Sequence, residues 1–288
     1  MDGFALPVKK LKGTDPVETL DLSGKNLGVA SAVVIASLIS VNGALTALNL
    51  SSNKIGGHWD SSKRQMVSTP EGPKAIADAL LVDGALTKMS LADNNLGEEG
   101  TKAICEALEQ NKTLKELDIS GGTAGAKGAK HVANMLCVNG GLTSLDLSNN
   151  ALCGVTYFGG TYTAEGITAI ADALRVNGAL TKCDLRNNKM DGEGEASIRN
   201  AVQGKRAGFE LHLSICQTLH FPAPEQRPGF GPFAFQFTLA NEGHRPDISG
   251  GTAGAKGAKH VANMLCVNML CVDPEGINPE GINPDLGA

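Results

Sequence analysis

The sequence predicts an α/β solenoid, with parallel strands on a concave face, helices on a convex face and an irregular C-terminal tail. Three observations predict it. One pattern of apolar residues returns along residues 17–213 with a basic spacing of 28, and a fixed period of that size is the mark of stacked repeats. Within each unit the apolar spacing changes from two residues to three and four, so each holds a strand and then a helix. Only 4% of the 288 residues are aromatic while 36 are glycine, so burial must come from Leu, Ile, Val and Ala in many small, regular contacts.

Taken in order, residues 1–16 hold Phe4, Leu6, Val8 and Leu11, which are expected to fold over the first unit as an N-terminal cap, because an exposed terminal repeat shows its core. The repeat begins at Val17, Leu45, Leu86, Leu114, Leu142 and Leu180, at spacings of 28, 41, 28, 28 and 38. The segments read VETLDLSGKNL, LTALNLSSNKI, LTKMSLADNNL, LKELDISGGTA, LTSLDLSNNAL and LTKCDLRNNKM. Each alternates apolar and polar residues, as a strand with one buried face does. Later in each unit AIADALLVDG, AICEALEQN, HVANMLCVN and AIADALRVNG carry the helical spacing, closed by Gly or Asn as a helix stop. The second and fifth units carry insertions near 56–72 and 153–165. FELHLSI, with Phe209, Leu211, Leu213 and Ile215 alternating, reads as a last strand closing the sheet.

The template LxxLxLxxNxL, matched in these six segments, resembles the leucine-rich-repeat family, and the 28-residue unit resembles its ribonuclease-inhibitor-like subfamily. The resemblance covers about two thirds of the chain, Val17 to Leu213. It implies a partial horseshoe and a ladder of template asparagines whose amides bond the backbone of neighbouring turns. Asn53, Asn94, Asn150 and Asn188 occupy the ladder place; Lys25 and Gly122 depart from it, and Gly122, mid-stack in GGTAGAKG, implies a local loosening.

Beyond the repeats the pattern is lost. Residues 214–246 are rich in Pro, Gly and Phe and read as a linker, with FAFQFTL at Phe233 to Leu239 as one further strand. In residues 247–288, DISGGTAGAKGAKHVANMLCVN at Asp118 to Asn139 recurs without a change at Asp247 to Asn268. That identity points to a recent duplication or an error in the gene sequence. Gly243 and Pro246 stand where Leu114 and Leu117 serve the original, so a helix over about 255–270 is expected but no seventh stacked unit. The ending DPEGINPEGINPDLGA reads as disordered.

Composition narrows the function classes. A net charge of −5 leaves no basic footprint for nucleic acid. The longest apolar run, Val29 to Val41, is broken by serines and too short for a membrane span, so it reads as a buried helix. The N-terminus has no secretory signal, which predicts an intracellular, cytoplasmic protein. The seven cysteines form no CxxC pair and read as reduced, packed thiols, Cys183 at a core leucine position and Cys105 and Cys137 in helices. GGTAGAKGAK resembles a phosphate loop but lacks the Ser or Thr after Lys127. GxSxG, HExxH and GxGxxG are all absent, so no catalytic residue, cofactor or metal is predicted and the chain is not expected to be an enzyme.

Surface is what remains. Stacked strands put Asp21, Asn49, Ser90, Asp118, Asp146 and Asp184 in one column along the concave face, an acidic stripe suited to a basic partner; LDLS is also simply a common strand in such repeats. The first insertion carries His58, the single tryptophan Trp59, Lys63 and Arg64, and the second carries Tyr157, Phe158 and Tyr162. Both interrupt the unit just after the ladder and should project from the same edge, where repeat proteins place binding insertions. The same aromatics could instead plug each loop onto the core. The reading is a scaffold or interaction module that binds a protein partner, of oligomeric state unknown. The alternatives are a small-GTPase regulator resembling Ran GTPase-activating proteins, or a structural subunit of a larger assembly.

Overall fold

A computed structural model describes residues 3–214 apart from 61, 63, 64, 157, 158, 206 and 207. The expected Ile215, FAFQFTL strand, second helix and disordered ending lie outside the described residues. No described helix is long and apolar enough to cross a membrane.

In chain order the elements are α1 (Val8–Leu11), β1 (Thr19–Asp21), α2 (Val29–Ile39), β2 (Ala47–Asn49), β3 (Gly57–Asp60), β4 (Gln65–Ser68), α3 (Glu71–Val82), β5 (Lys88–Ser90) and α4 (Gly97–Gln110). They continue as β6 (Glu116–Asp118), α5 (Gly125–Val138), β7 (Ser144–Asp146), α6 (Glu165–Val176), β8 (Lys182–Asp184), α7 (Gly192–Val202) and β9 (Glu210–His212). Among the described residues, seven strands make one sheet in the order β1-β2-β5-β6-β7-β8-β9, every pair parallel. β3 and β4 form a separate antiparallel hairpin.

Strand alternation decides what is buried. The middle residues Leu48, Met89, Leu117, Leu145 and Cys183 are at most 3% exposed and meet the buried stripe of the helices, including Ile35, Ile76, Ile104, Val132 and Ile170. No strand is longer than three residues in the main sheet, so neither layer stands without the other, and the stacked units share one continuous core.

The asparagine ladder forms as the template implies. Asn94 donates from Nδ2 to the carbonyl oxygens of Leu50, one unit back (2.8 Å), and Leu91 in its own unit (3.1 Å), and its Oδ1 accepts from the Ile55 N–H (3.2 Å). Asn53, Asn150 and Asn188 repeat this bridge to Leu22, Ile119 and Leu147. The two departures have different physical reasons. Lys25, at the N-terminal end, extends its ammonium over the Phe4 ring of the cap, 5.8 Å from the centroid. At Gly122 the rung carries no side chain, and a Cβ there would stand 3.0 Å from the Ile119 carbonyl oxygen and 3.1 Å from Asn150 Oδ1, so that a neighbour would have to give by a few tenths of an ångström.

A second ladder runs along the opposite edge, at residues the sequence marks only as helix stops. Asn42, Asp83, Asn111, Asn139 and Asn177 each follow a helix and are 3–7% exposed. Each Oδ1 accepts from the two backbone N–H groups entering the next strand, as Asn139 does from Gly141 (2.9 Å) and Leu142 (2.8 Å). Each asparagine also donates to carbonyls at the preceding helix end: Asn111 to Leu80, Asn139 to Leu108, Asn177 to Leu136, and Asn42 to Lys10 and Leu11 of α1. A carbonyl at the end of α1, α3, α4 and α5 is thereby satisfied by the next unit, whereas Asp83, a carboxylate, has no N–H to offer the end of α2.

Two sequence expectations are corrected. Val8 is 48% exposed and does not pack as part of the cap; on a four-residue helix one face reaches the core, and Leu11, fully buried, takes it. Cys137 is exposed, not packed, because the helical turn that buries Met135 and Leu136 carries residue 137 outward. Cys105, Cys153 and Cys183 are buried, and burial pushes the Cys153 thiol up to about 11 and the Cys183 thiol up to about 12.

Candidate functional site

The concave column forms in the register expected. Asp21, Asn49, Ser90, Asp118, Asp146 and Asp184 are successive Cα partners across the sheet, and His212 of β9 ends the row. Each rung of a parallel sheet adds about 4.8 Å, so Asp118, Asp146 and Asp184 are near neighbours.

Most of these side chains already hold backbone. The Oδ1 atoms of Asp21, Asn49, Asp118, Asp146 and Asp184 each accept from the N–H two residues on, at 2.9–3.0 Å, tying down the turn that leaves the strand. Ser90 donates from Oγ to Asp118 Oδ2 at 3.1 Å. Asp184 is gripped by Arg186, whose NH2 lies 2.5 Å from Oδ2.

The carboxylates therefore differ. Burial pushes the Asp146 carboxyl above its ordinary range, against the Ser148 N–H, and the charges of Asp184 and Asp118 add to the rise. Asp184 is also pushed up by burial, but its bonds to Arg186 outweigh that and hold it below the usual range. The Ser23 N–H lowers Asp21.

Beside the column runs Thr19, Ala47, Lys88, Glu116, Ser144, Lys182 and Glu210. Lys88 pairs with Glu116 at 2.7 Å and Lys182 with Glu210 at 3.2 Å. Such exposed pairs add little stability, yet they cancel the charge of the flank and, with Asp184 paired to Arg186, leave Asp118 and Asp146 as the main fixed charge at the centre of the face. Spacing along one strand reveals neither these pairs nor His212, which belongs to the row only once β9 is seated on β8.

The two insertions leave the solenoid at the same place and are closed in the same way. Thr69 N–H donates to the Gly56 carbonyl and Thr163 N–H to the Cys153 carbonyl, both at 2.9 Å. Behind each base a helical glycine lies against the ladder turn: a Cβ at Gly72 would sit 2.2 Å from the Ile55 oxygen, and one at Gly166 2.5 Å from the Leu152 oxygen. The first insertion is the β3–β4 hairpin, pairing His58 with Val67 and Trp59 with Met66.

His58 is exposed, and of Trp59 only the backbone is described. Arg64, Tyr157 and Phe158 lie outside the described residues. Tyr162, 38% exposed, turns its phenol toward the Asp191 carboxylate and the Cys153 thiol; burial, and then Asp191, raise its pKa. Asp191 also caps α7, accepting from Gly194 N–H at 2.8 Å, which with the Tyr162 phenol lowers its own. Tyr162 thus anchors its loop to the body.

Among the described residues no group of His, Cys, Asp and Glu has the arrangement of a metal site.

A sheet of parallel strands alternating with helices, stacked every 28 residues or so and bound by an asparagine ladder, defines a leucine-rich-repeat solenoid. The family model described as Leucine Rich repeat matches residues 44–57, across the strand and ladder turn of the second unit. Solved structures similar to it include leiomodin-1 actin-binding site 2 (24% identity, 51% of this chain and 80% of that one, TM-score 0.41). Others are the tropomodulin C-terminal domain of Caenorhabditis elegans (14% identity, 60% and 90%, TM-score 0.45) and the leucine-rich-repeat-containing protein LegL7 of Legionella pneumophila (18% identity, 68% and 58%, TM-score 0.45). No curated protein matches the sequence.

Proposed function

We propose that this protein is a non-enzymatic interaction module of the ribonuclease-inhibitor-like kind, which holds a partner protein with a basic surface against its concave face and its two insertions. The observation that carries the reading is the in-register pair of Asp118 and Asp146, with Asp184 beside them held by Arg186, on a sheet whose flanking charges are already paired. A preorganised face of one sign steers and orients a partner of the other. The insertions supply what that face lacks, since Trp59, Tyr157 and Phe158 are of the large residue types that dominate binding energy.

The test is affinity capture from native lysate with the full chain. Asp118→Asn with Asp146→Asn removes the charge of the stripe while keeping the acceptors for the Ser120 and Ser148 N–H groups, and Trp59→Ala with Phe158→Ala removes the aromatic contacts. Both double variants should lose the protein that the parent retains, with helical circular dichroism unchanged and parental capture weakening as salt rises. Capture unaffected by either pair overturns the reading.

A further inference from the structure

The edge of the second ladder bears an apolar row that no described element covers. Val41, Val82, Val138 and Val176 each stand immediately before a ladder residue and are 58–69% exposed. After each ladder residue comes Gly43, Gly84, Gly140 or Gly178, where an added Cβ would meet nothing within 4 Å. Four times over, a protruding valine is followed by bare backbone. The middle unit differs, with exposed Gln110 and Lys112 in the equivalent places.

Read along the edge, the row is Val41, Val82, Gln110, Val138, Val176, the same in either direction. That order suits one class of partner. A two-fold interface brings residue i of one copy to residue j of the other and j to i, so it requires a surface that matches its own reversal. With the axis at Gln110, Val41 meets the second copy's Val176 and Val82 meets its Val138. Gln110 meets itself, and a carboxamide both donates and accepts. The neighbours follow the same order, Leu81 coming opposite the exposed Cys137. Adjacent helices pack about 10 Å apart, so the row is roughly 40 Å long, enough for the ~800 Å² per partner of a stable interface if it is about 20 Å wide.

We propose that this edge is a homodimer interface, with a second copy of the chain seated antiparallel on the valine row about a two-fold axis at Gln110. It is the edge opposite the insertions and leaves the concave face open, so it stands or falls independently of the partner-binding reading.

Sedimentation velocity of the full chain over the micromolar range tests it. The parent should pass from monomer to dimer with rising concentration, and Val82→Asp with Val176→Asp should weaken the dimer by more than about tenfold, the loss expected of central apolar contacts. These positions are exposed, so circular dichroism should stay with the parent, as should the melting temperature at concentrations where the parent is monomeric. As a second measurement, Gln110→Cys under mild oxidation should yield a covalent dimer whose disulfide, mapped by mass spectrometry, joins position 110 of one copy to position 110 of the other. A parent that remains monomeric, a dimer as tight in the aspartate variant as in the parent, or absence of the link at position 110 would each overturn the proposal.

Discussion

Asn111 donates from its side-chain amide to the carbonyl oxygen of Leu80 at 2.7 Å and also reaches that of Asp83, while Asp83 fills the same place one unit earlier. Asp83 accepts from Ala85 and Leu86 as its asparagine counterparts do from their own neighbours, but a carboxylate has no N–H to give. Asp83→Asn should therefore stabilise the fold by about 1 kcal/mol, the net value of a typical buried hydrogen bond. The denaturation midpoint measures it, and a lower midpoint would mean that Asp83 has another partner at that helix end.

Thr101 in α4 is 1% exposed, and its hydroxyl has no hydrogen-bond partner. Equivalent places on other helices hold Ala32, Pro73, Ala129 and Ile167. Thr101→Val keeps the branched shape and removes a desolvated polar group, so a gain of about 1 kcal/mol is expected in chemical denaturation. Loss of stability would show that the hydroxyl is satisfied.

Neighbouring acids of the concave column should respond to pH with opposite signs. The Asp146 pKa is raised by burial, so its ionisation opposes folding: its contribution is complete below the unfolded pKa and is lost as pH rises through the folded one. Asp146→Asn keeps an acceptor for Ser148 and should be more stable than the parent at neutral pH, with the advantage vanishing below the ordinary aspartate range. Asp184 is lowered by Arg186, so its contribution is present above the unfolded pKa and is lost as pH falls through the folded one. Asp184→Asn should destabilise at neutral pH and converge with the parent in acid. Melting temperature against pH for both variants decides; shifts of the same sign at neutral pH would refute the assignment.

Amide exchange around residues 121–126 should be faster than around Asn94. Asn94 ties three backbone carbonyls and one N–H into its rung, whereas Gly122 has no side chain to do so. Hydrogen exchange with peptide-level resolution compares the two turns within one sample, and equal protection would mean that the neighbouring rungs suffice.

The sequence by itself determined the strand and helix of each unit, the 28-residue spacing and the register of the aspartate column, because strand alternation and helical spacing are local properties repeated in every unit. The first ladder follows from the resemblance to leucine-rich repeats, and α1 and the β3–β4 hairpin were not legible. Only the tertiary structure decided what those residues meet across units. Lys88 pairs with Glu116, Asn139 reaches Leu108, and the closures at Gly56 and Cys153 span their insertions. Asn42, Asn111, Asn139 and Asn177 are legible as helix stops, but their role as a second ladder depends on carbonyls that the preceding unit places within reach. The same is true of Val8, Cys137 and the valine row, whose exposure is set by which face of a helix the next unit covers. Contacts made through space between units some 28 to 41 residues apart follow from stacking geometry, and no local pattern encodes them.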